Sequence, residues 1–327
     1  MKTIAFFNNK SGVGKTSLVY HLSWMFADHG IKTLAADIDP QANLTAMFLN
    51  EDRLENLWPD SEHPDTVYGA IQPIMRGIGD IAKPHVEMIT QKLGLLAGDL
   101  GLSRFEDKLS DAWPRCHNRD ESAFRTMTAF HRLVQSGEDW GAEIVLIDIG
   151  PNLGAINRSA LLASDQICLP LAPDLFSLQG MKNLGPTLQD WRVIWAELLL
   201  KAPANIPMPK GTMHPVGYIV IQHSVLDSRP VMAYRRWMNR IPHVYRDSVL
   251  NEPTHSLPSV EQDPYCLSLL KHYRSLMAMA MEVRKPIFFL KSADGAIGAH
   301  IEAVKNCYDD FQKLAARISA NVGIAFS

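Results

Sequence analysis

The chain has 327 residues, 46% of them hydrophobic and 20% charged, with a formal net charge of -3. Such a composition excludes a disordered, collagenous or coiled-coil protein and supplies a sizeable core, either for two average domains or for one large α/β domain. No apolar run reaches the roughly 18 to 20 residues that span a bilayer, and the mild negative charge means that any nucleic-acid contact must come from a local basic patch.

From the N-terminus, KTIAFFN (2–8) predicts a short buried strand. The chain turns polar straight after IAFF, too soon for a signal peptide, which points to a soluble cytoplasmic protein. Thr16 to His29 predicts a helix, with Leu18, Leu22, Met25 and Phe26 at helical spacing and Gly30 closing it. KTLAADID (32–39) is an apolar strand ending in acids, so the first forty residues make a strand-loop-helix-strand unit with parallel strands. Further strands are expected at Leu93 to Ala97, Ile144 to Ile149, Gln166 to Leu171 and Val216 to Gln222, separated by helical or mixed segments. This alternation predicts an α/β fold: a doubly wound, mostly parallel sheet with helices on both faces. Ala202 to His214, rich in Pro and Gly, and Asn251 to Pro264, with three prolines, read as loop insertions near 202–214 and 251–264 in a single domain spanning 1–327. Cys116, Cys168, Cys266 and Cys307 lie far apart with no C-x-x-C pair, so they read as small buried hydrophobes rather than metal ligands.

Between the first strand and the first helix stands Asn9-Lys10-Ser11-Gly12-Val13-Gly14-Lys15-Thr16. Gly12 and Gly14 let successive backbone N-H groups turn toward phosphate oxygens, and the helix start adds its partial positive charge. Lys15 would reach the β- and γ-phosphates of a nucleotide and the Thr16 hydroxyl would bind Mg²⁺. The standard G-x-x-x-x-G-K-[ST] pattern would need Gly at position 9, where this chain has Asn9; the bland alternative is a glycine-rich turn with an incidental Lys-Thr. A second lysine, Lys10, adds positive charge beside the same loop. Asp37 and Asp39 end the second strand, at the carboxyl edge where open α/β sheets bind ligands. Ile144 to Ile147 form an apolar run that delivers Asp148 to the end of another strand, the design that holds Mg²⁺ through its water shell.

These residues resemble the ParA/MinD group of deviant Walker A ATPases, P-loop NTPases whose loop reads K-G-G-x-G-K-[ST]. Ser11 replaces the first glycine of that pair. Asp37 to Thr45 resembles the group's D-x-D-P-Q-x-N-x-T box, and Ile144 to Asp148 its Walker B strand, followed here by Gly150-Pro151 instead of Pro-Pro. Leu93 to Leu100 with Leu102 to Leu109 resembles its strand and acidic helix, Leu169 to Gly180 its later strand and loop, and Lys285 to Phe288 its late G-K-P-I segment. The resemblance implies an ATP hydrolase using ATP and Mg²⁺. Its catalytic residues would be Lys10, Lys15 and Asp39, with Asp39 orienting the attacking water, and Thr16, Asp37 and Asp148 would lie at the metal. Lys10, Ser11, Gly12, Val13, Gly14, Lys15, Thr16 and Ser17 would cradle the nucleotide. In the group, the lysine matching Lys10 contacts the nucleotide of the other subunit, which implies an ATP-dependent homodimer. The strand ending Ile221-Gln222 lacks the group's usual Asn, so the adenine contacts are left unplaced.

Absent features narrow the branch. No cysteine pairing suggests a shared cluster, no N-terminal helix-turn-helix precedes the loop, and the final helix, Ala299 to Ile318, carries Glu302, Asp309 and Asp310 rather than a basic membrane anchor. What is left is the short Soj-like type of ParA: a nucleoid-associated partition ATPase that binds DNA without sequence preference and answers to a ParB-like or other activating partner, with no membrane contact. Candidate DNA contacts are Arg229, Arg235, Arg236 and Arg240, with Arg246 in the same stretch, then Lys271 and Arg274 ahead of Arg284, Lys285 and Lys291. The alternatives are a solvated, ion-paired helix face for these residues, a positioning or regulatory ATPase acting on a protein scaffold, or a carboxylate-activating synthetase. Lys10 and the lack of a substrate motif weigh against the synthetase.

Overall fold

The computed structural model describes residues 1–222, 235–252, 258–271 and 273–326, with only the backbone of Gln222 and of Arg274. Its strands are β1 (Lys2–Phe6), β2 (Thr33–Asp37), β3 (Glu87–Met88), β4 (Leu93–Leu96), β5 (Ile144–Asp148), β6 (Gln166–Leu171), β7 (His214–Gln222) and β8 (Cys266–Lys271). They form one sheet in the order β3-β4-β2-β5-β1-β6-β7-β8. Every pairing is parallel except that of β3 with β4. The longer helices are α1 (Lys15–Asp28), α2 (Asn43–Phe48), α3 (Glu51–Leu57), α4 (Val67–Arg76), α5 (Phe105–Arg115), α6 (Glu121–Met127), α7 (Ala129–Trp140), α8 (Ala155–Leu162), α9 (Leu175–Leu199), α10 (Arg274–Glu282) and α11 (Ala299–Val322).

Strand alternation builds two cores. Ala5, Leu34, Ala36, Val145 and Ile147 face one side, where α4 to α9 pack with Phe105, Phe130 and Trp195. Ile4, Phe6, Ala35, Ile144 and Leu146 face the other, covered by α1 and α11 through Leu22, Phe26, Leu314 and Ile318. Because both faces are covered, the central strands read as continuous apolar runs.

The observed elements differ from the sequence expectations mainly at their ends. β1 and β2 stop at Phe6 and Asp37, so the polar residues after them are loop. β7 begins at His214, taking the last residue of the first expected loop, and α11 runs on to Val322 before Gly323 stops it at φ 74. β8 was not expected: CLSLLK is short, follows a Pro-rich stretch and lacks clear alternation. The 202–213 stretch has no helix or strand and is fastened by Trp195, whose Nε1 donates to the Pro209 carbonyl at 2.9 Å. The 251–264 stretch includes residues 253–257, outside the described ones. Its end is anchored by buried Asp263, which accepts from Tyr218 Oη at 2.6 Å and from Arg246 Nη2 at 2.7 Å.

One polar contact ties the first helix to the C-terminal third of the chain. His21, fully buried on α1, stacks on Phe311 with ring centres 5.0 Å apart. Its Nδ1 lies 2.7 Å from the Ser17 carbonyl, and its Nε2 accepts the Ile287 N-H at 3.1 Å. A neutral ring protonated at Nδ1 satisfies both contacts, whereas a second proton would leave Nε2 facing a donor. Burial accordingly pushes His21 down from 6.5 to about 4. The unfolded chain takes up the proton near pH 6.5 and the folded one does not, so this contribution is complete above pH 6.5 and is lost as pH falls toward 4. The unfolding free energy of the wild type relative to His21→Gln should therefore shrink by about 3 kcal/mol between pH 7 and pH 4, as read from urea unfolding across that range. A difference that does not change with pH would show that His21 is not held neutral.

Candidate functional site

Strand register alone brings the acids together. Asp148 at the end of β5 pairs with Phe6 of β1 on one side and with Asp37 of β2 on the other. Beyond Phe6 the chain turns sharply: Asn8 Nδ2 donates to the Pro170 carbonyl at 2.6 Å, while its Oδ1 accepts the Lys10 N-H at 2.9 Å. Asn8 thus pins the start of the loop to the end of β6. The loop passes through Gly12 (φ 72) and Gly14 (φ 82), left-handed conformations that suit glycine. A Cβ at Gly14 would also stand 2.9 Å from Ile221 Cδ1. α1 then begins with no side-chain cap and no acid in its first turn, leaving its first amides and its positive end available to an anion.

Gly12, Gly14, Lys15, Thr16 and Ser17 line a cleft of about 530 Å³ that Ile221, Tyr273 and Met277 line as well. Lys15 is buried, with Nζ 3.5 Å from the Lys10 carbonyl. Burial lowers its pKa, and the carboxylates of Asp148 and Asp39 oppose that shift. Val13, at 2% exposure, points its side chain into the interior and can offer a ligand only its backbone. Ser11 is exposed.

Asp37 and Asp148 are completely buried and Asp39 nearly so. Asp37 Oδ2 accepts the Thr45 N-H at 2.8 Å and the Thr45 hydroxyl at 2.7 Å, while Thr45 Oγ1 itself accepts the Gly98 N-H at 2.7 Å. Asp37 Oδ1 and both Asp148 oxygens are buried without a partner. Burial pushes Asp37 up to about 7 and raises Asp148 as well, the charge of each neighbouring acid adding to the shift. Oxygens of this kind suit a hard divalent cation. Among the described residues no three His, Cys, Asp or Glu side chains are grouped to hold a metal by themselves. Asp39 is 7% exposed, its Oδ1 accepting the Gln41 N-H at 3.0 Å.

Lys10 turns out of its own cleft. Its ammonium pairs with Asp174 Oδ2, while Asp174 Oδ1 caps α9 by accepting the Ser177 N-H at 2.9 Å. Asn8, Thr45 and Asp174 received no role from the sequence. Thr45 and Asp174 stand in quoted motif segments, but their tasks depend on which strand ends meet.

The basic residues divide. Arg235, Arg236 and Arg240 are exposed, the last two with guanidinium groups 5.2 and 5.4 Å from the Trp237 ring centre. Arg246 is a correction: it is buried and paired with Asp263, so it presents no charge to a ligand. Lys285 is held by Asp294 at 2.7 Å, and Lys271 lines the phosphate-loop cleft. Arg229 and the Arg274 side chain lie outside the described residues. No helix among the described residues is long and apolar enough to cross a membrane.

The sequence pattern of a family described as AAA domain matches residues 1–195. Protein IncC of Escherichia coli is 28% identical over 193 residues, covering 59% of this chain and 47% of IncC. Among solved structures, protein DIP2308 of Corynebacterium diphtheriae has a TM-score of 0.68 at 24% identity, covering 98% of this chain and 99% of that one. A plasmid partition protein of Borrelia burgdorferi bound to AMPPNP has a TM-score of 0.58 at 15% identity, with 98% and 99% covered. Both are similar to this chain in fold. The matches span 43 to 66% of the lengths of the first curated relatives.

Asp148→Asn keeps the side-chain shape but removes a charge that the fold must strip of water. At pH 8 and without nucleotide it should raise stability by about 1 kcal/mol or more, read as a higher melting temperature. The added stabilisation from ATP with Mg²⁺ should vanish in the same variant. A lower melting temperature without nucleotide would contradict the cost assigned to this acid.

Proposed function

Because the chain belongs to the AAA domain family and to the ParA/MinD superfamily of ATPases, we propose that it is a Mg²⁺-dependent ATPase that dimerises on ATP. In that state it binds DNA without sequence preference, and it releases after hydrolysis, in plasmid or chromosome partition. The observation that carries the reading is the uncapped start of α1 beside Lys15, set over three buried carboxylate oxygens that have no partner.

In this reading Lys15 and the loop amides hold the phosphates, while the wall of Ile221, Tyr273 and Met277 offers an apolar surface to the base. Thr16, Asp37 and Asp148 would hold Mg²⁺, which neutralises charge on the β- and γ-phosphates. Asp39 accepts a hydrogen bond from the attacking water and orients it. Lys10 already lies outside its own cleft, on a surface where Leu175 and Phe176 are 43% and 70% exposed. A second copy docking there would take the lysine from Asp174 to its own nucleotide. Arg235, Arg236 and Arg240 are the DNA contacts, and a ParB-like or other activating partner times hydrolysis. A protein scaffold in place of DNA is the second reading, favoured by the loss of Arg246 and Lys285 from the basic patch.

Lys15→Ala should abolish ATP binding in calorimetry, because the ammonium and its phosphate contacts go together. Lys10→Ala should still bind ATP, since its own cleft is intact, yet stay monomeric in light scattering. An ATP-bound dimer of Lys10→Ala would count against a lysine acting on the other subunit.

For DNA, Arg235→Glu with Arg236→Glu should weaken binding about equally on unrelated duplexes and leave ATP-driven dimerisation intact. Losing two phosphate contacts should flatten the slope of log affinity against log salt by roughly 1.8 per subunit. Absence of DNA binding by the ATP-bound wild type at low salt would reject the DNA reading in favour of the scaffold.

A further inference from the structure

α8 begins seven residues after Asp148, and nothing local caps it. Its N-cap residue is Gly154, which has no side chain to accept from the first amides. The acceptor comes instead from α5. Glu106 Oε1 takes the Ala155 N-H at 2.6 Å, and Oε2 takes the Ile156 N-H at 2.9 Å. The missing Cβ at Gly154 makes room for this contact, since a Cβ there would stand 2.6 Å from Glu106 Oε1. The same span is held from its other side by Asn157, 1% exposed, whose Nδ2 donates to the Gly150 carbonyl at 2.8 Å. Gly150 in turn lies against Asp39, a Cβ built on it falling 3.5 Å from Asp39 Oδ1. One side chain on a distant helix therefore fixes the far end of the loop that runs from Asp148 past Asp39.

We infer that Glu106 is a positioning residue for hydrolysis: by clamping the start of α8 it sets where residues 149–154 stand relative to Asp39. The inference rests on the reading of Asp39 as the group that orients the attacking water. A carboxylate gripping two amides at a helix start suits this work, because each oxygen fixes one direction and the helix end favours negative charge. Glu106 touches neither phosphate nor Lys15. Its loss should leave nucleotide binding in place and blur the geometry of the water-bearing side.

The test uses the full chain, comparing ATP turnover, ATP affinity and melting temperature for the wild type, E106A, E106Q and E106A/G154S. E106A should lose about 10- to 100-fold in kcat, the scale on which small misplacements act, with ATP affinity little changed. E106Q keeps one acceptor and should fall between the two. In E106A/G154S the serine gives α8 a cap of its own without a link to α5, so melting temperature should return while turnover stays low. Turnover restored in that double variant would reduce Glu106 to a helix cap and overturn the inference, as would E106A turnover equal to wild type. A wild type with no ATPase activity would overturn the functional reading and this inference together, which separates the two failures.

Discussion

Asp37 and Asp148 face each other from adjacent parallel strands, fully buried, with three of their four oxygens lacking a hydrogen-bond donor. Leaving two ionised carboxylates in that position is costly, and the surrounding structure can be understood as what makes the cost bearable. Thr45 spends both its N-H and its hydroxyl on one Asp37 oxygen, and Gly98 supports the hydroxyl from behind. No larger residue fits at Gly98, because a Cβ there would lie 2.7 Å from the Asp37 carboxyl carbon. Lys15 brings the nearest buried positive charge, and the loop that carries it is tensioned between β1 and β6 by Asn8. Under the proposed function, local stability is given up in the nucleotide-free chain so that a charged, dry surface is ready for phosphates and a cation.

Sequence patterning made the centre of the molecule legible and its edges less so. The strands carrying Asp37 and Asp148 are buried on both faces, so their apolar runs and terminal acids were unambiguous. β8 escaped notice because an edge strand of six residues beside a Pro-rich stretch carries little periodic signal. In the same way, the roles proposed for the phosphate-loop residues come from their types and spacing alone. The partners of those residues were hidden: Thr45, Asn8 and Asp174 act through contacts between segments far apart in the chain. Arg246 shows the opposite error. A run of arginines without acids read as a surface, yet an acid seventeen positions later folds back to bury one of them.

The site is assembled from both halves of the sheet. Asp37 and Asp148 come from strands near its middle, part of the cleft lining from β7, β8 and α10, and the support of the loop after Asp148 from α5 and α8. A disturbance at one element can therefore reach another without passing through the phosphate loop.

The neutral imidazole of His21 has a meaning for where this protein can be cut. The family pattern ends at residue 195, inside α9, yet His21 receives the Ile287 N-H and stacks on Phe311 of α11. Leu22 and Phe26 of α1, and the same side of the sheet at β7 and β8, likewise pack against α11. A fragment stopped at the end of the recognisable pattern would keep every phosphate-loop residue and still present an open hydrophobic wall to water. Inherited similarity and the cooperative folding unit have different lengths here, so a minimal working fragment has to be drawn around the packing rather than around the motif.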